Sequence, residues 1–144
     1  MHRLLVDSDV ILVLFIDREP HHSVALKFFS YLDRNTETIT PFMSHVAVAN
    51  VVYILGRTKS QDYAVARISS LRSIVHVATM TEEVIDKALR EPYKDFEDSS
   101  QYFCAIENDL HSIVTRNTRD FLSDDLLVMT PREFIAMDLA GKTT

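Results

Sequence analysis

Residues 3–9 read Arg3-Leu4-Leu5-Val6-Asp7-Ser8-Asp9. A short apolar run that ends in an acid reads as a buried strand with a polar residue at its carboxyl end. The residues that follow fit a strand that feeds a helix. Val10 to Ile16 is apolar and begins a short helix. Pro20 suits a first helical position, and Ala25, Phe28, Phe29 and Leu32 form a helical stripe.

The same alternation continues to the end of the chain. Thr36–Phe42 predicts a second strand. Ser44 is a candidate N-cap for a helix through Leu55, with Gly56 just past its end. A helix over Asp62–Leu71, a strand over Ile74–Thr79 and a helix capped by Thr81 and reaching Leu89 come next. Then follow a helix over Asp98–Asp109, a strand over Ser112–Thr115 and a strand over Leu126–Met129. Thr130-Pro131 opens a last helix. Strands alternating with helices predict an α/β fold, with a central, mostly parallel five-stranded sheet between two helical layers (α/β/α). We read one domain over residues 1–139 and a frayed tail over 140–144.

Composition narrows the function classes. The chain has 144 residues, 47% hydrophobic and 25% charged, with two glycines and four prolines, so it is neither disordered nor loop-dominated. Two glycines cannot build a glycine-rich phosphate loop. Cys104 is the only cysteine, which excludes an intrachain disulfide. Asp7 and Asp9 interrupt any secretory apolar segment, and no stretch approaches the roughly 18 apolar residues of a membrane span. The expectation is a cytoplasmic protein. A net charge of −6 disfavours a broad RNA-binding surface, so basic residues must act locally or come from a partner.

In open parallel sheets, ligands bind beyond the carboxyl ends of the strands. Asp7 follows the first strand, Ser44 and His45 the second, and Arg116, Asn117, Arg119 and Asp120 the fourth. Asp98 opens the helix that leads to the fourth strand. Carboxylates gathered at one rim repel each other unless a cation joins them. Hard divalent cations prefer oxygen ligands, and such a cation activates water and neutralises phosphate charge. Phosphodiester hydrolysis suits this constellation. Asn50, an amide within the apolar helix His45–Leu55, is read either as a structural buried amide or as a residue facing the rim. His21-His22 point apart on a helix, His76 sits in a strand, and Ser99-Ser100 lacks triad partners.

Several pieces together resemble the PIN-domain family across nearly the whole chain. They are Leu5-Val6-Asp7-Ser8-Asp9, Ser44 with the helix carrying Asn50, and Asp95-Phe96-Glu97-Asp98-Ser99. Val114 to Phe121 and Met129-Thr130-Pro131-Arg132-Glu133-Phe134 complete the set. The resemblance implies an α/β/α fold, a Mg²⁺- or Mn²⁺-dependent ribonuclease, frequent homodimers and, for many small members of the VapC type, an antitoxin partner. Asp7, Asp98 and Asp120 match the family's acidic, metal-binding positions. Thr115 and Asn117 match supporting polar positions. Asn50 stands where the family commonly has Glu. Asp9 and Asp95 are the nearest further acids. Arg116 and Arg119 are candidate RNA phosphate contacts.

Two other readings compete. A PIN-like module without catalysis would act through protein or RNA contacts, and Asn50 and the acidic charge favour it. A haloacid-dehalogenase-like phosphatase would use Asp7 as nucleophile and Asp9 as general acid. Its late acidic pair, Asp124-Asp125, precedes the last strand instead of following it.

Overall fold

The computed structural model describes residues 1–91, 95–121 and 125–142, without the side chain of Asp120. Five strands, β1 (His2–Val6), β2 (Ile39–Ser44), β3 (His76–Ala78), β4 (Ser112–Val114) and β5 (Leu127–Met129), form one sheet in the order β3-β2-β1-β4-β5. All four pairings are parallel. The helices are α1 (Ser8–Phe15), α2 (His21–Arg34), α3 (His45–Thr58), α4 (Gln61–Leu71), α5 (Glu82–Arg90), α6 (Phe96–Glu107) and α7 (Pro131–Lys142). A 3₁₀ turn spans Thr118–Asp120.

The pleat of β1 divides the core. Leu4 and Val6 join a cluster with residues of α1, α2, α3, α4 and α7, including Phe28, Leu55 and Phe134. Leu5 points to the other face, with Val84, Tyr102, Ala105 and Ile113 under α5 and α6. Successive side chains on opposite faces explain why the strand is apolar throughout yet serves two layers. No helix of the described residues is long and apolar enough to cross a membrane.

Polar residues set the helix starts. Asp7 caps α1, Ser44 accepts from the Ala47 amide at 3.1 Å, and Ser60 accepts from Tyr63 at 3.0 Å. Thr130 and Glu133 form a reciprocal capping box, with bonds of 2.9 and 3.2 Å.

Several boundaries differ from the sequence reading. Helix α3 runs through Gly56 to Thr58, because Lys59 closes it with an amide bond to Leu55. Helix α6 starts at Phe96, because Asp95 and not Asp98 supplies the cap. It stops at Glu107, and Asp109 then adopts φ 55°, a left-handed conformation that cannot continue the helix. Residues 140–142, read as tail, belong to α7, where Lys142 pairs with Asp138 at 3.0 Å and bonds Asn35 at 2.6 Å.

Candidate functional site

The chain runs from β1 to β2 to β3 on one side of the sheet and from β4 to β5 on the other, so β1 and β4 flank the topological switch point. Crevices open there at the carboxyl ends of strands. Val6 pairs with Val114, and the Asp7 amide bonds the Val114 carbonyl at 2.9 Å. Asp7 and Thr115 therefore emerge side by side.

Asp7 is only 7% exposed and well supplied with donors. Its Oδ1 accepts from the Ser8 amide at 2.8 Å and from Gln101 Nε2 at 2.6 Å. Its Oδ2 accepts from the Thr115 hydroxyl at 2.9 Å. A carboxylate offers about four lone-pair positions. Three are taken, which leaves one, on Oδ2. The Ser8 hydroxyl lies 3.5 Å from Oδ1 and 3.1 Å from Glu97 Oε1. It has a single proton, and the shorter contact is with Glu97.

The donors are themselves fixed. Gln101 is fully buried and accepts from the Ser44 hydroxyl at 3.1 Å, which sets its amide so that nitrogen faces Asp7. Thr115 Oγ1 accepts from the Asn117 amide at 3.2 Å, so its hydroxyl proton goes to Asp7. Asn117 Oδ1 accepts from the Arg119 amide at 3.3 Å. Ser44, through Gln101, and Thr115 with Asn117 thus tie the β2–α3 junction and the segment after β4 to one carboxylate.

Asp9 shares the site. Its carboxylate accepts from the Arg116 amide at 3.4 Å. Burial and then the neighbouring Asp7 charge push its pKa to about 7, with the Arg116 amide and guanidinium pulling the other way. Burial also raises Asp7, opposed by Thr115, Gln101 and Ser8. Two carboxylates in one desolvated place favour protonation or an added cation.

Asn50 lines a cleft of about 320 Å³ with Ser8, Asp9, Leu12 and Glu97. It is partly exposed instead of buried, because its face of α3 turns toward this cleft and not into the core. Asp98 lies half-buried in the first turn of α6, its amide held by Asp95 at 2.7 Å, and its neighbour Glu97 is the residue on the cleft wall. Asp120 falls in the 3₁₀ turn after β4, and its side chain is outside the described ones. Among the described residues, no three His, Cys, Asp or Glu side chains gather closely enough to hold one metal ion. Arg116 and Arg119 are exposed beside the site.

Sequence reasoning missed Gln101 and Glu97. Gln101 carried a usable signal, since a polar amide one turn after Asp98 sits on the stripe continued by Cys104 and Ala105. Asp124 is outside the described residues, and Asp125 precedes β5, at the amino end of that strand. That position is far from what an Asp7-centred phosphatase would need.

Residues 3–119 match the model of the family described as PIN domain. No curated protein matches the chain in sequence. The fold is similar to that of VapBC-1 from nontypeable Haemophilus influenzae, with TM-score 0.66, 15% identity, and 90% of this chain and 98% of that chain covered. VapBC2 from Rickettsia felis, bound to a DNA fragment from its promoter, gives TM-score 0.67 at 11% identity over 88% and 96% of the two chains. Mycobacterium tuberculosis VapC20, a Sarcin-Ricin loop cleaving toxin, gives 0.62 at 15% identity over 76% and 86%. At these identities the likeness concerns the fold.

Proposed function

The chain belongs to the PIN-domain family, and from that premise we propose that it is a divalent-metal-dependent endoribonuclease that hydrolyses RNA phosphodiesters. One observation carries the reading. Asp7 is a buried carboxylate at the switch point, anchored by neutral donors and by no cationic side chain among the described residues. Its remaining lone pair on Oδ2 has a direction fixed by Gln101 and Thr115.

The carboxylates proposed to hold the ion offer only oxygen atoms, which suits Mg²⁺ or Mn²⁺. In this proposal Asp98 and Asp120 close on the same ion as Asp7, with Asn50 on the facing wall. A bound divalent cation supplies charge neutralisation at the phosphate and a more acidic water. Gln101 and Thr115 hold Asp7 in place for it. Ser44 and Asn117 hold those two in turn. Arg116 and Arg119 receive phosphates flanking the cleaved bond.

The relatives in fold include VapBC assemblies. They support the finer proposal that this chain is the toxin of a toxin–antitoxin pair; a homodimeric, cytoplasmic protein belongs to the same reading and rests on the family resemblance alone. A second reading, a PIN-like module without catalysis, is favoured by Asn50, which brings no charge to the cleft wall.

The test is cleavage of single-stranded RNA with and without Mn²⁺, with Asp7→Asn as control. The proposal expects metal-dependent cleavage that Asp7→Asn abolishes. RNA left intact by the unaltered protein, or cut equally by the variant, refutes it.

A further inference from the structure

A second cavity, of about 300 Å³, opens on the other side of α1 from the Asn50 cleft. Its walls are Val10 and Val13 of α1, Val24 of α2, and Pro131 at the start of α7. Its rim carries Arg116, Arg132 and His21. Walls of this kind, apolar with a few polar groups at the mouth, are typical of small-molecule sites, and the volume is at the lower end of their range.

Two features connect the cavity to the acidic site. Arg116 is shared, since its backbone amide bonds Asp9 and the residue also lines the cavity. Helix α1 is shared as well, because Val10 follows Asp9 directly. The rim is positive on a chain of net charge −6. Among the described residues, neither the Arg116 nor the Arg132 guanidinium makes an ion pair. Two exposed arginines at the mouth, neither within ion-pair distance of a carboxylate among the described residues, beside an apolar floor one residue from the acids, match one nucleotide. The floor takes a base, which has an apolar face, and the guanidinia take the phosphates on either side.

We infer that this cavity is a subsite for an unpaired base of single-stranded RNA, adjacent to the cleaved phosphodiester, with Arg116 and Arg132 clamping its phosphates. The inference rests on the ribonuclease reading for its substrate class. A base inside a duplex cannot enter, so the subsite selects single-stranded RNA.

The test is equilibrium binding of a short labelled single-stranded RNA in EDTA, by fluorescence anisotropy, with melting temperatures as a folding check. Arg132→Gln removes an exposed guanidinium and Val24→Trp fills the cavity. Each variant raises Kd roughly tenfold. Arg132→Gln also lowers the salt dependence by about one counterion. Adenosine 5′-monophosphate competes with the RNA better than inorganic phosphate does.

Absence of RNA binding by the unaltered protein, or unchanged Kd in folded Arg132→Gln, overturns the subsite and leaves the cavity to a protein segment. A Mn²⁺ cleavage arm separates the two readings. Cleavage with an unaltered KM in both variants overturns the subsite alone. Variant-sensitive binding without any cleavage keeps the subsite and removes the nuclease reading.

Discussion

Asp7 and Asp138 are both carboxylates that accept from a hydroxyl across the fold, and they lie at opposite ends of the sheet. Asp138 sits beside His2, at the amino end of β1. It accepts from the Tyr31 hydroxyl and pairs with Lys142 at 3.0 Å. Burial pushes its pKa up, but Tyr31 and Lys142 outweigh that and lower it. Asp7 also has a hydroxyl donor, Thr115, yet no lysine or arginine pairs with it among the described residues, and burial raises its pKa. A structural acid is matched with its own cation. An acid held in a desolvated place by neutral donors, beside a second acid, lacks its counter-charge. The difference in electrostatics, more than the hydrogen bonding, supports the proposal that Asp7 is the working group.

The comparison breaks most readily at the two aspartates. We expect Asp7→Asn to lower RNA cleavage by at least about a thousandfold, close to 4 kcal/mol of barrier. Asp138→Asn should leave the rate within twofold, roughly the error of such assays. An equal loss in both variants would place catalysis in overall folding and not at the switch point.

The second expectation concerns pH. The folded pKa of Asp9 is about 7, above its unfolded value, so its protonated form favours the fold. That stability is fully present below the unfolded pKa and is lost as pH rises through about 7. Asp138 has the opposite sign: its contribution is present above the unfolded pKa and is lost as pH falls through the lowered folded value. In EDTA, stability should therefore fall between pH 5 and 8 by on the order of a few kcal/mol, and the melting temperature should fall with it. Asp9→Asn should flatten the fall. A wild-type melting temperature that is flat across this range would show that Asp9 is not desolvated.

The third expectation is Gln101→Ala. It leaves both Asp7 Oδ1 and the buried Ser44 hydroxyl one partner short. We expect cleavage or Mn²⁺ affinity to fall by roughly 10–100-fold, as is usual for residues that orient a metal ligand. Stability should fall by about 1–3 kcal/mol, by denaturant titration. Unchanged activity would mean that the Ser8 amide and Thr115 orient Asp7 without Gln101. The neighbouring test is Asn50→Glu, which places a carboxylate on the cleft wall. Mn²⁺ affinity by calorimetry should rise about tenfold, and no change would put Asn50 outside the ion's reach.

The layers of the fold were legible because periodicity reports burial. Leu4-Leu5-Val6 is apolar on both faces, and the structure buries it on both. Asp7 was legible for a related reason, since a charge that ends a buried strand has few places to go. Gln101 was harder. Its role depends on which residues of α6 face β1, and that is set by how the helix packs on the sheet, which no local pattern states. Glu97, next to Asp98, is the residue that lines the cleft. The cavity beside Arg132 could not be read at all. It is formed by α1 and α2 with the start of α7, which lies almost a hundred residues beyond α2, and no local pattern encodes their approach.

The smallest effect sharpens the comparison from the other side. Lys142 lies four residues after Asp138 on α7, and both side chains are partly exposed. Exposed pairs of this spacing contribute about 0.3–0.5 kcal/mol. Lys142 also bonds Asn35, at the end of α2, so Lys142→Ala should cost somewhat more than the loss of the pair alone. We expect a melting temperature a few degrees lower, with RNA cleavage unchanged. The variant also leaves Asp138 without its lysine while Tyr31 still donates to it. If Asp138 then kept its lowered pKa, measured by NMR titration, the hydroxyl would be sufficient to hold an acid ionised. Thr115 could then do the same for Asp7, and the missing counter-charge would no longer distinguish the two ends of the sheet. A rise in the Asp138 pKa on losing Lys142 is the outcome that keeps the distinction.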